Sequence, residues 1–193
     1  IGAPTAWDLG FDGTGVSVAV LDAGIDEAHP DFGGRIAGTA DFTGSGVTDR
    51  VGHGTHVAGI VLGDGAASGG RFSGVAPGAD LLVGKVLGDN GSGTMSQIIA
   101  GMEWAVGEGA DVVNMSLSAG GGPADGSDPM SRALDALAES SDALFVVAAG
   151  NSGAPRTVRS PGAATHALTV GAVDDDVLAE FSSSGPRGGD AAV

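Results

Sequence analysis

A chain of 193 residues can build one domain with a substantial core, and it is too short for two full domains. Its 37 glycines and 8 prolines suggest low complexity, but 42% hydrophobic residues and a mean hydropathy of +0.21 exclude disorder, and the missing period excludes collagen. A net charge of −16 excludes a duplex-binding surface, and the absence of cysteine excludes disulfides, thiolate metal sites and a thiol nucleophile.

In chain order, the opening Ile1-Gly2-Ala3-Pro4 does not read as a signal peptide. Residues 16–21 (Val-Ser-Val-Ala-Val-Leu) form a short apolar run ended by Asp22, the pattern of a buried parallel strand. Helical spacing follows over 53–62. A second strand is predicted at 81–86, a helix at 96–106 with Ile98, Ile99, Met102 and Val106 on one face, and a third strand at 112–117. Asp128 is an N-cap candidate for a helix over 129–138. Strands at 144–149 and 167–173 complete the series, and Asp174-Asp175-Asp176 reads as a solvated turn. The apolar run at 143–149 is far below the roughly 20 residues that a membrane span needs, so neither a membrane nor a nucleic acid is an expected partner. Strands alternating with helices imply an α/β fold: three layers, a mostly parallel sheet with helices on both faces. With no repeat and no linker, residues 1–193 are expected to form a single domain.

Three places along this chain carry candidate chemistry. Asp22 ends the first strand, at the edge where parallel sheets bind ligands. His53 lies in Gly52-His53-Gly54-Thr55-His56-Val57-Ala58-Gly59, where flanking glycines free the imidazole to meet a cleft. Either His53 is a general base oriented by Asp22, or His53 and His56 hold a metal, or His53 is structural. Zinc-binding histidine pairs on a helix usually stand four apart with a Glu between, and these stand three apart. His56 is expected to be a packed, satisfied histidine. Asn151 ends an apolar strand in Gly150-Asn151-Ser152-Gly153, either as an ordinary turn residue or as an amide donor to an oxyanion.

Several segments together resemble the subtilisin-like serine proteases. They are Val20-Leu21-Asp22-Ala23-Gly24-Ile25-Asp26, His29-Pro30-Asp31, the Gly52–Gly59 segment, Gly74-Val75-Ala76-Pro77, Asn114-Met115-Ser116-Leu117, Ala148-Ala149-Gly150-Asn151 and Phe181-Ser182-Ser183-Ser184-Gly185, in the family's order. The resemblance implies a subtilisin-like fold and a secreted endopeptidase acting on peptide or protein substrates by acyl transfer. It implies that Asp22 orients His53, that His53 accepts the nucleophile's proton, and that Asn151 donates to the oxyanion. It also implies that Gly91, Ser92 and Gly93 belong to an edge that pairs with extended substrate. Ser116, Leu117 and Ser118 would be the opposite strand and one wall of the main specificity pocket, beside Gly150.

The family's nucleophile belongs to a Gly-Thr-Ser-Met-Ala-like motif beyond the Phe-Ser-Ser segment, and none follows Gly185 here. Gly93-Thr94-Met95-Ser96 only scrambles it, so Ser96 reads as the start of a helix, and Ser152 is on the wrong element. The expectation is therefore an N-terminal portion of a protease, incomplete at its C-terminus and inactive alone. Its partner would be the C-terminal remainder, whose absence would leave apolar sheet surface open to water. The alternative is a pseudoprotease or peptide-binding module. Ala23 replaces the hydroxyl residue common after the aspartate, Ser118 stands where Gly is common and would narrow the pocket, and the stretch 63–73 lacks the Asn-rich calcium loop. No cofactor is expected; calcium is compatible with the family, but no metal site is assignable.

Overall fold

The computed structural model describes residues 1–121 and 124–190. They cluster into two compact units, Ile1–Val113 and Asn114–Val193, where the sequence shows no linker.

The first unit contains α1 (Ala3–Asp8), β1 (Ser17–Asp22), β2 (Ile36–Asp41), α2 (His53–Leu62), β3 (Asp80–Lys85) and α3 (Met95–Gly107). Its strands run in the order β2-β3-β1, all parallel, with Val20 opposite Val83 and Asp22 opposite Lys85. Strand alternation sends Val18 and Val20 to one face and Ala19 and Leu21 to the other. On the first face, Val18, Val20, Leu81 and Val83 pack with Val57, Ala58 and Leu62 of α2 in one buried cluster. On the other face lies α3, so close that a Cβ at Gly101 would stand 2.4 Å from Val86 Cγ1. Helices on both faces, as predicted, follow from β1 being apolar on both sides. A capping box starts α3: the Thr94 hydroxyl accepts from Gln97 N–H while Gln97 Oε1 accepts from Thr94 N–H. Ser96 is the second residue of that helix.

β4 (Val112–Met115) carries the chain into the second unit, which adds α4 (Pro129–Ser140), β5 (Leu144–Ala148), β6 (Leu168–Val170), β7 (Val173–Asp174) and β8 (Val177–Leu178). β5 and β6 pair in parallel, and β7 and β8 form an antiparallel hairpin. The predicted strand over 167–173 is thus two strands with Gly171 between them. The acidic run is the hairpin turn: Asp175 and Asp176 take φ of 44° and 67°, a conformation Asp tolerates better than most residues.

Asp128 caps α4 and does more than close a helix. Its carboxylate accepts from Met130 and Ser131 N–H, from the Ser131 hydroxyl, and from the hydroxyl of the distant Ser160. Burial alone would raise its pKa, but these donors outweigh burial and hold it below the ordinary range. Its stabilising contribution is therefore present above pH 3.8 and is lost as pH falls through the folded value. Asp128→Ala is expected to cost about 1–2 kcal/mol at pH 7. Urea unfolding checks this, and the gap between variant and parent should close at acid pH.

Candidate active site

Asp22 is the last residue of β1, on the same face as Val18 and Val20, and that face is covered by α2, whose first residue is His53. The two meet directly. His53 Nδ1–H donates to both carboxylate oxygens, at 2.8 Å and 2.9 Å, and Ala23 N–H donates to Oδ1 at 2.7 Å. Asp22 is 1% exposed. Burial pushes its pKa up; the bonds from His53 and Ala23 pull it down without cancelling that, and the nearby Asp49 charge adds to the rise. The imidazole is about half exposed, with 48% of its side chain accessible. With Nδ1 committed to the carboxylate, the neutral ring presents a bare Nε2, which has no protein partner among the described residues.

The start of α2 is shaped by its neighbours. A Cβ on Gly54 would stand 2.2 Å from Gly24 O, so only glycine lets the helix approach the end of β1 this closely. Gly52, the N-cap, has φ of 86° and no side chain to cap with. Asp49 does that work: it accepts from Val51 and Gly52 N–H through one oxygen and from Thr55 N–H and hydroxyl through the other. Burial opposes its ionisation, yet the Thr55 and Gly52 donors win and hold its pKa low. The sequence reading missed Asp49. The available signal was a capping-type carboxylate three residues before a glycine that cannot cap.

Gly91, Ser92 and Gly93 are exposed and form a tight turn, with Gly88 N–H donating to Ser92 O and Gly91 N–H to Gly88 O. Asp89 in this turn accepts from the Lys85 ammonium at 2.8 Å and pairs with Arg50 at 3.4 Å. His56 is not packed as expected: it is exposed on α2, lining an open surface cavity of roughly 560 Å³ with Asp31 and Asp49. The helix turns residue 56 outward because Val57, Ala58 and Leu62 are the ones that meet the sheet. No group of three or more His, Asp or Glu side chains is placed to hold a metal ion among the described residues.

In the second unit, Asn151 is exposed just after β5, and its amide has no side-chain hydrogen bond among the described residues. The backbone around it is clamped. Ser183 N–H donates to Gly150 O, Ser183 Oγ accepts from Ser152 N–H, and Gly153 N–H donates to Phe181 O. Ser183 is buried by this clamp, and Ser182 is buried with its hydroxyl accepting from Ala172 N–H, a structural use of the Phe-Ser-Ser-Ser segment that the sequence did not reveal. Ser152 Oγ accepts from Arg159 Nε at 3.0 Å. Ser116 accepts from Asn114 at 3.1 Å, Leu117 is buried and Ser118 is exposed.

Residues 13–192 match the Subtilase family. The chain belongs to that family. Over 90% of its length it is 44% identical to serine protease AprX of Bacillus subtilis (strain 168), of which it covers 43%. Over 89% of its length it is 44% identical to the minor extracellular protease Vpr of the same organism, of which it covers 22%. A crystal structure of a cold adapted subtilisin-like serine proteinase matches with a TM-score of 0.74 and 35% identity, covering 91% of this chain and 62% of that one. The fold is therefore subtilisin-like. This subtilase chain spans less than half the length of either curated relative. The match runs through both units, so the segments that carry Asp22, His53 and Asn151 all fall inside it. No helix of the described residues is long and apolar enough to cross a membrane.

Proposed function

We propose that this chain supplies the acid–base and oxyanion parts of a serine endopeptidase. The observation that carries the reading is the short, two-pronged Asp22–His53 contact that leaves Nε2 open. A serine hydroxyl gives its proton to Nε2 as its oxygen attacks the peptide carbonyl. The buried Asp22 steadies the imidazolium that forms. Asn151 donates to the oxyanion, and the tetrahedral intermediate then expels the amine, which takes the proton from Nε2. Water repeats the sequence on the acyl-enzyme and restores the hydroxyl. As the family resemblance implies, Gly91, Ser92 and Gly93 are assigned to backbone pairing with an extended peptide, as are Ser116, Leu117 and Ser118, with Gly150 assigned to the specificity pocket.

The attacking serine is assigned to a segment outside this sequence, the C-terminal remainder of the protease. Ser96 opens a helix and Ser152 is engaged with Arg159, so neither suits the role. Exposed apolar side chains in the second unit support a covering segment: Leu168, Val170 and Phe181 are each about half exposed or more. A cavity of roughly 540 Å³ lined by Ala149, Val158, Ala163 and Leu178 adds to that support. Secretion is proposed as well, in keeping with the name of the extracellular relative.

A serine-directed covalent inhibitor applied to the full-length gene product tests the reading. The expected result is peptide hydrolysis lost in step with labelling of one serine beyond Val193, and negligible hydrolysis by residues 1–193 alone. Peptide binding without labelling would instead make the protein a pseudoprotease. Chelator-sensitive hydrolysis without labelling would revive the His53–His56 metal reading.

A further inference from the structure

Arg159 is a cation that the chemistry above does not use. Its backbone is tied to the two segments proposed to wall the specificity pocket. Arg159 N–H donates to Ala149 O at 3.0 Å, and the adjoining Ser160 O accepts from Ala119 N–H at 2.8 Å. Ala149 precedes Gly150 and Asn151, and Ala119 follows Ser116, Leu117 and Ser118. Arg159 therefore joins the two walls. Its stem runs along Gly150, where an added Cβ would stand 3.3 Å from Arg159 Cγ and 3.4 Å from Cδ.

The guanidinium is only partly satisfied. Nε donates to Ser152 Oγ, while the two terminal nitrogens have neither a hydrogen-bond acceptor nor a carboxylate at ion-pair distance among the described residues. Arg187 in the same unit is different: it binds Ala163 O and Thr165 and pairs with Asp190. Arg159 as a residue is half-buried, and a guanidinium with a free planar fork is a good receptor for a carboxylate, which it binds through two parallel N–H donors.

We propose that Arg159 is a specificity-determining residue that selects an acidic side chain, Glu or Asp, on the acyl side of the scissile bond. The inference rests on the protease reading and adds the substrate class. The chain's net charge of −16 opposes such a substrate at long range, but that field is screened beyond about 8 Å at physiological ionic strength, whereas a two-pronged contact inside a pocket is not. A Lys or Arg at the same substrate position meets a like charge and is rejected.

The experiment uses the full-length gene product and peptide substrates, amidated at their C-termini, that differ only in the residue before the cleaved bond: Glu, Gln, Lys or Phe. The expected kcat/KM for Glu exceeds that for Gln by about tenfold to a hundredfold, with Lys lowest. Arg159→Leu should erase the Glu-over-Gln ratio and raise Phe relative to Glu, and Arg159→Lys should restore part of the Glu-over-Gln ratio. A parent enzyme that cuts after Gln or Lys as well as after Glu overturns the proposal, whatever the variants do. So does a folded Arg159→Leu that keeps the ratio. If no substrate is cut, the protease reading fails by itself, and short peptides amidated after the same four residues are titrated calorimetrically against the same protein. Tighter binding of the Glu peptide than the Gln peptide, lost in Arg159→Leu, then sustains the role of Arg159; equal binding overturns it.

Discussion

Asp22→Asn should make the folded protein more stable at neutral pH and should leave the complete enzyme nearly inactive. Both effects come from one buried carboxylate. Burial raises the Asp22 pKa in the folded protein, and the donors His53 and Ala23 recover only part of that cost. A carboxyl that keeps its proton to higher pH when folded stabilises fully below its unfolded value of 3.8, and that contribution is lost as pH rises through the folded value. At pH 7 the ionised Asp22 is thus a burden on the fold. Asparagine has the same shape without the charge, so the variant should unfold at higher urea than the parent at pH 7 and at the same urea at pH 3. Catalysis moves the other way. The amide presents an N–H where a carboxylate oxygen accepted one, pins the imidazole in the wrong tautomer and cannot steady the imidazolium, for a loss of about 10⁴ in kcat. A variant less stable than the parent at pH 7 would show that the Asp22–His53 contact stabilises the fold instead of burdening it.

That trade between stability and chemistry explains which parts of the molecule were legible in the sequence. β1, α2, β3 and α3 were readable because each writes its burial into its spacing: β1 is apolar on both faces, and α2 keeps small residues where it meets the strand. Asp22 and His53 were legible together: an acid at a strand end is ordinary by itself, but the segments around both residues resemble the subtilisin-like serine proteases. β2 was invisible. Its residues Ile36-Ala37-Gly38-Thr39-Ala40-Asp41 are half exposed, and it is held by pairing with β3, not by hydrophobic pattern. The bend at Gly171 was invisible for a related reason, since the chain is turned there by Ser182, whose hydroxyl accepts from Ala172 N–H, a partner distant in sequence. Asp49 and Arg159 were missed because their work lies in contacts. A carboxylate that accepts four donors and an arginine whose backbone stretch is tied to two separate segments look, in one dimension, like ordinary loop residues.

The asymmetry of contacts also governs the expected outcome at Lys85. This ammonium is fully buried, held by Thr48 O and Asp89 Oδ1, each at 2.8 Å. Its partner is far less confined: Asp89 is 39% exposed and has Arg50 as a second cation. Removing one member of the pair is therefore not equivalent to removing the other. Asp89→Ala leaves a charge in the core with a single carbonyl for company, and it should cost about 3–5 kcal/mol. Lys85→Met removes the buried charge itself, fills the same space with an apolar stem, and leaves Asp89 solvated and still paired with Arg50. Thr48 O loses its ammonium donor, so the cost should be about 1–3 kcal/mol, below that of Asp89→Ala. Urea unfolding at pH 7 separates the two. Equal losses would mean that the pair acts as one unit and that desolvation of Lys85 is not the governing quantity. Asp89 also anchors the turn that contains Gly91, Ser92 and Gly93, so in the complete enzyme Asp89→Ala should raise KM for extended peptides more than it lowers kcat. The reverse pattern would place that turn outside the substrate's path.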